Sequence, residues 1–213
     1  MSSKRYAIKE MFYTLQGEGF HAGKAAVFCR FSGCNLWSGK ESSRSTASCR
    51  FCDTDFVGVD GTHGGRYTAT QLVEQILAVW LGTGTPMVIF TGGEPLLQLD
   101  EDVVQECKAH GIYVAVETNG TKPAPNGVDW ICLSPKPRST IVLTSVSELK
   151  LVYPQPEPEL HPSLFESFEA QYWYLQPLYG DAVLENRAQT VAYCLQHPQW
   201  RLSIQMQKVL GVR

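Results

Sequence analysis

Cys34, Cys49 and Cys52 stand as C-x14-C-x2-C, and a Gly92-Gly93-Glu94-Pro95 run follows about forty residues later, closing the apolar stretch Met87-Val88-Ile89-Phe90. Three thiolates hold three irons of a 4Fe-4S cluster and leave the fourth iron open to a ligand that is not protein. Beside a turn able to seat a cofactor, an open iron makes radical chemistry available that no side chain supplies unaided. Cys49 and Cys52 alone read equally as half of a zinc site or as a redox pair. Structural zinc needs a fourth protein ligand, and the five histidines (His21, His63, His110, His161 and His197) show no H-x3-5-H pairing to go with these cysteines. The other cysteines, Cys29, Cys107, Cys132 and Cys194, fall in apolar patterns where a thiol packs as a small hydrophobe. An odd total of seven argues for reduced thiols and metal ligands over a disulfide framework.

The elements that must carry these residues alternate. Ala25–Phe31 and Met87–Phe90 are nearly continuous apolar runs of the kind buried parallel strands show, and strand-like runs recur at Ile112–Val116, Trp130–Leu133, Leu149–Tyr153, Tyr172–Leu175 and Leu202–Ile204. Thr68-Ala69-Thr70-Gln71 reads as a capping box opening a helix with Leu72, Val73, Ile76, Leu77 and Trp80 on one face. A second helix carries Leu99, Val103, Val104 and Cys107 and stops at Gly111, and helical patterns follow at Ser163–Ala170 and Ala182–Leu195. Polar residues cluster just after the strands, where barrel active sites lie. A full eight-unit barrel takes about 250 residues, so a chain of 213 is expected to form an α/β fold that is a shortened, partly open (β/α) barrel. One domain over residues 1–213 is expected, with an inserted surface loop at about 35–48 rich in Ser, Gly and charge.

A net charge of -3 without any run of five like charges argues against nucleic acid as a partner. No apolar stretch approaches the roughly 18 residues needed to span a bilayer, and Met1-Ser2-Ser3-Lys4-Arg5 leads into no apolar leader, so no membrane partner and a cytoplasmic location are expected.

Together with Val116-Glu117-Thr118-Asn119-Gly120, the cysteines and the Gly-rich turn resemble the radical S-adenosylmethionine (SAM) superfamily, although fourteen residues between the first two cysteines exceed its usual interval. More narrowly, Tyr13–Gly19, Phe31–Trp37, Phe51–Thr54, Ser134-Pro135-Lys136 and Glu148-Leu149-Lys150 resemble the 7-carboxy-7-deazaguanine synthase family of queuosine and deazapurine biosynthesis. That resemblance implies cluster ligation by Cys34, Cys49 and Cys52, and SAM contacts from Gly92, Gly93, Glu94, Glu117, Ser134, Pro135, Lys136 and Gln176. It implies a Mg2+ ligand in Thr54, a hydroxyl being an acceptable hard oxygen donor. Leu15, Gln16, Gly17, Glu18, Arg30, Thr91 and the terminal Arg213 are implied to meet the substrate, 6-carboxy-5,6,7,8-tetrahydropterin.

The implied reaction is a radical ring contraction with loss of ammonia, fed by a reducing donor such as flavodoxin or ferredoxin, in a homodimer. Many family members have histidine where Gln207 stands, which leaves one substrate contact open. Two other readings share the cysteines: an activase that installs a radical on a protein partner, for which Leu15–Glu18 and Thr54 have no use, and a zinc-stabilised binding module without activity.

Overall fold

The computed structural model describes residues 4–212. Nine strands form one sheet in the order β3-β1-β2-β4-β5-β6-β7-β8-β9. They are β1 (Tyr6–Leu15), β2 (Ala25–Phe31), β3 (Gly65–Tyr67), β4 (Met87–Gly92), β5 (Tyr113–Thr118), β6 (Trp130–Leu133), β7 (Ser145–Tyr153), β8 (Glu169–Pro177) and β9 (Trp200–Leu202). From β2 through β9 every ladder is parallel, whereas β1 runs antiparallel to β2 and β3 antiparallel to β1. The sheet is the expected open barrel, and no ladder among the described residues joins its first strand to its last.

Alternation along the strands sorts the chain into two faces. Val27, Cys29, Phe31, Val88, Phe90, Val114 and Val116 point outward into a core completed by α1 (Ala69–Val79) and α2 (Glu101–Ala109). Both bonds of the Thr68 capping box are present. A second core, with Leu133, Leu149, Leu151 and Leu175, backs the other half of the sheet beneath Tyr193 and Cys194 of α3 (Val183–Gln196). The opposite face of the same strands delivers Arg30, Thr91, Glu117, Lys150 and Gln176 to the concave side. In β1 a bulge between Ile8 and Glu10 resets the alternation. Tyr6, Ile8 and Met11 therefore all meet the outer core, while Glu10, Phe12 and Thr14 face inward.

The segment after β1 ties the two ends of the open sheet together. Gly17 carbonyl accepts from Met206 N–H at 3.0 Å, Gly19 N–H donates to Ser203 Oγ at 2.9 Å, and Phe20 N–H donates to Glu148 Oε2 at 3.1 Å. Gly19 has φ +65°, and a Cβ there would lie 1.9 Å from Glu148 Oε1, so only glycine lets the loop press onto β7. Phe20 stacks on Trp130 and lies against Tyr172.

Several sequence expectations are corrected. Ser163–Ala170 is not a helix: a single 3-10 turn at Pro162–Phe165 is followed by β8, which begins at Glu169 to pair with Ser145 of β7. The last strand is Trp200–Leu202, not Leu202–Ile204: Ser203 N–H still donates to Leu175 carbonyl of β8 at 2.8 Å, while its hydroxyl accepts from Gly19 of the β1–β2 loop. The segment 35–48 is more than a solvated loop. It holds a 3-10 turn at Glu41–Thr46, and Trp37 and Ala47 are buried against Phe56 in a small core that Cys34 and Cys52 touch.

Candidate active site

The concave side of the sheet encloses a cavity of about 540 Å3 lined by all three motif cysteines, Gly92, Gly93, Glu117, Ser134, Lys136, Gln176, Leu15, Gln16, Gly17, Glu18, Arg30, Thr91 and Thr54. Nearly every residue singled out from the sequence therefore shares one space. Glu94 and Pro135 do not line it. Glu94 is fully buried behind the wall, where its carboxylate accepts from Leu96 N–H, Thr118 Oγ1 and Asn119 N–H at 2.9, 2.7 and 2.7 Å. Through Asn119 N–H it is tied to a residue that does face the cavity. Arg213 lies outside the described residues.

On the cavity wall the Cys34 turn docks on the glycine pair. Glu94 N–H donates to Gly33 carbonyl at 3.0 Å, and a Cβ on Gly93 would stand 2.2 Å from that same oxygen and 2.6 Å from Cys34 Cβ. Gly92, at φ +139°, would meet Phe31 carbonyl at 2.3 Å. Cys34 Sγ accepts from Leu36 N–H at 3.4 Å, yet burial raises its thiol. The Cys49 thiol donates to Cys52, which brings Cys52 down to about 6 and pushes Cys49 up.

All seven cysteines are free, and no histidine lines the cavity. Among the described residues no three His, Cys, Asp or Glu side chains converge on a single metal position. A 4Fe-4S cluster does not require that, because each thiolate takes a different iron. Three free thiols on one wall, with a Cβ-less backbone turn beside them, fit the cluster and its cofactor. They do not fit a structural zinc, which needs a fourth protein ligand.

The polar part of the wall is a charge network. Lys150 Nζ donates to Glu18 Oε2 at 2.6 Å and stands 3.7 Å from Glu117 Oε2. Glu18 Oε1 accepts from the Gln205 and Gln207 amides at 3.0 Å each, and Gln16 Nε2 donates to Glu117 Oε1 at 2.7 Å. Burial works to raise the Glu18 carboxyl, but the Lys150 charge and these donors hold it at about 2. Beside them Arg30 Nε donates to Glu10 Oε1 at 2.9 Å, which leaves the terminal guanidinium nitrogens to aim elsewhere.

A synthase described as 7-carboxy-7-deazaguanine synthase in Bradyrhizobium diazoefficiens is 55% identical over 210 residues, 98% of this chain and 99% of that one. The Bordetella pertussis protein of the same description is 53% identical over 97% of this chain and 99% of its own length. The chain belongs to the 7-carboxy-7-deazaguanine synthase family. The model of the radical SAM superfamily matches residues 43–145, a span that takes in Cys49, Cys52 and the Gly-Gly turn. The crystal structure of QueE from Escherichia coli superposes with a TM-score of 0.71 at 24% identity, covering 95% of this chain and 94% of that one, and so shares the fold. Membership in this superfamily brings a 4Fe-4S cluster and SAM as cofactors.

Sequence reading missed Glu10, Phe12, Thr14, Lys150, Gln205 and Lys208 as members of the wall. The bulge hid Glu10: without it, strict alternation puts that side chain in phase with the outer core. Lys150 stood inside a quoted motif but in an apolar strand, where only the carboxylates around it explain a buried ammonium.

The ion pair yields a pH prediction. Glu18 falls from 4.5 to about 2 on folding, so its pairing stabilises the protein above pH 4.5 and this contribution disappears as pH drops toward 2. Denaturant midpoints should fall more steeply over that window in the unsubstituted protein than in Glu18→Gln. Parallel curves for the two proteins would remove Glu18 from the acid response.

Proposed function

We propose that this protein is a 7-carboxy-7-deazaguanine synthase, a lyase that converts 6-carboxy-5,6,7,8-tetrahydropterin to 7-carboxy-7-deazaguanine with loss of ammonia, in queuosine and deazapurine biosynthesis. The observation that carries the reading is the shared cavity: the cysteines, the Gly-Gly turn, the Leu15–Glu18 segment and Arg30 all line one space. When bound, the cluster and SAM supply an adenosyl radical that takes hydrogen from C6 of the pterin.

The chain's own residues bind and orient. Gly92 and Gly93 let backbone approach the methionyl end of SAM, with Glu117, Ser134, Lys136 and Gln176 along its length and Glu94 and Pro135 behind them. Lys136 Nζ is held at 2.6 Å from Ser134 Oγ, a half-buried cation that would pair with the carboxylate of that ligand. Gln16, Gly17 and Glu18 read the edge of the pterin with donors and acceptors fixed in advance, which limits the reorganisation needed on binding. Arg30, oriented by Glu10, presents its remaining donors to the substrate carboxylate, with Thr91 beside it. Thr54 lines the cavity between Asp53 and Asp55, a setting that suits a Mg2+ held largely by substrate and water. Leu15 shields the ring from solvent.

In this reading the chain is one catalytic domain that works in the cytoplasm as a homodimer and is reduced by a flavodoxin or ferredoxin. No helix among the described residues is long and apolar enough to cross a membrane.

With C6-deuterated substrate, SAM, reductant and Mg2+, the anaerobically reconstituted enzyme should form the deazaguanine by mass and carry the label into 5'-deoxyadenosine, or into SAM if SAM is regenerated. Label leaving from another ring carbon would assign the cavity to a different radical reaction. The metal is tested separately. Thr54→Ala should shift the Mg2+ concentration for half-maximal turnover upward by roughly tenfold, about 1.4 kcal/mol of lost ligation, with iron content unchanged. An unaltered titration would take Thr54 out of the metal site.

A further inference from the structure

Gln16 and Glu117 line two spaces, the large cavity and a second, small one of about 10 Å3, and so form a partition between them. His21, Trp130 and Glu148 also line the small cavity. His21 is 6% exposed, and both of its ring nitrogens are buried without a hydrogen-bond partner among the described residues. Aromatic rings surround it edge to face: Trp130 at 4.5 Å, Phe20 at 5.2 Å and Tyr113 at 5.6 Å between ring centres. A phenylalanine would make those contacts as well, so packing alone gives no reason for an imidazole.

Burial, reinforced by the Lys24 charge, holds the imidazole down at about 4, so at neutral pH one ring nitrogen donates and the other accepts. Glu148 beside it is short of donors. Its Oε2 accepts from Phe20 N–H at 3.1 Å, and its Oε1 has the weak Cys132 thiol at 3.5 Å. A carboxylate offers about four acceptor sites, and burial pushes this one up from its ordinary range. Glu117 Oε1 accepts from Gln16, while its Oε2 lies 3.7 Å from Lys150 Nζ, beyond hydrogen-bond reach.

The wall selects the occupant. Two carboxylates repel an anion, and Lys150, whose ammonium the Glu117, Glu18 and Glu148 charges stabilise, already supplies the local cation. A water accepts from an imidazole N–H and donates to two carboxylates, which is the number of bonds a buried water usually makes, and the volume admits one. We propose that the small cavity is a site for one ordered water that joins the His21 imidazole to Glu148 and Glu117, and that through it His21 is a positioning residue for Glu117 across the partition. With Glu117 held from behind, Gln16 is held too, before any ligand enters the large cavity. The consequence for SAM rests on the reading that Glu117 contacts that cofactor; the water and the orientation of Glu117 do not, and none of these depends on the identity of the pterin.

The test compares reconstituted holoenzyme with His21→Phe. Crystal structures from ammonium-free buffer should show one water in the unsubstituted protein, and in the variant no water and a Glu117 turned away from Gln16. The variant should melt lower by roughly 2–4 °C, because Glu148 loses a donor that a ring without nitrogens cannot replace. Its SAM affinity, read by titrating the spin-resonance signal of the reduced cluster, should fall roughly threefold to tenfold, the worth of one hydrogen bond, with iron content unchanged and no further loss on adding Glu117→Ala. A small cavity without ordered density in the unsubstituted protein would overturn the proposal. So would a higher Tm in His21→Phe, the mark of a dry site relieved of two unpaired nitrogens, or a Glu117 that keeps its place there. If Glu117→Ala alone leaves SAM affinity unchanged, the assignment of Glu117 to SAM fails, while the structures still decide the water and its hold on Glu117. Occupancy is read in the unsubstituted protein and His21→Leu is the second apolar variant, so a folding failure in His21→Phe leaves the test intact.

Discussion

The contact between the Cys34 turn and the Gly92-Gly93 pair is the constraint on which the site depends. A thiolate that must reach an iron and a backbone that must reach a cofactor are carried by different strands, β2 and β4, paired in parallel with Phe31 opposite Gly92. Parallel pairing brings the two C-terminal ends to one edge. The missing Cβ atoms then let the turns touch, with Gly33 carbonyl accepting from Glu94 N–H. Glu94 continues the chain of support to β5 through Thr118 and Asn119. A buried carboxylate with three donors costs little beyond its desolvation, and it fixes three loops at once.

The polar wall of the cavity depends on charges held out of water. Buried ion pairs add little net stability, because desolvation offsets their attraction. Glu18 and Lys150 are better understood as a fixed template: each is held by several partners, so neither needs to move when a polar ligand arrives. The same logic explains why the β1–β2 loop is bonded so heavily to β7 and to the segment after β9. An open sheet leaves that loop as the link between its ends, and the loop carries Gln16, Gly17 and Glu18.

Much of this was legible in the sequence for a physical reason. Strands buried on both faces, such as Ala25–Phe31 and Met87–Gly92, read as continuous apolar runs, and cysteine spacing and Gly-Gly turns report local geometry directly. β1 was not legible: Lys9 and Glu10 interrupt its apolar character, and the bulge that makes room for them breaks the period-two pattern. Ser163–Ala170 misled because Leu164, Phe165 and Phe168 repeat at helical intervals, while Pro162 and the demand of β7 for a partner decide the conformation. Glu94 was legible as part of a motif but not as a buried group, since the sequence does not say which way a strand-end side chain turns. The Lys150 network was legible only as separate residues, because its members come from the β1–β2 loop, β5, β7 and the C-terminal segment.

The most direct test of this account is the iron content and cluster spectrum of Gly93→Ala after anaerobic reconstitution. The added Cβ has no room against Gly33 carbonyl and Cys34 Cβ, so the Cys34 turn must move away from β4. The account predicts a folded protein with near-normal circular dichroism, substoichiometric or oxygen-labile iron, and no change in the cluster's spin-resonance signal on adding SAM. A fully loaded cluster in Gly93→Ala with an unaltered SAM-induced signal would contradict it.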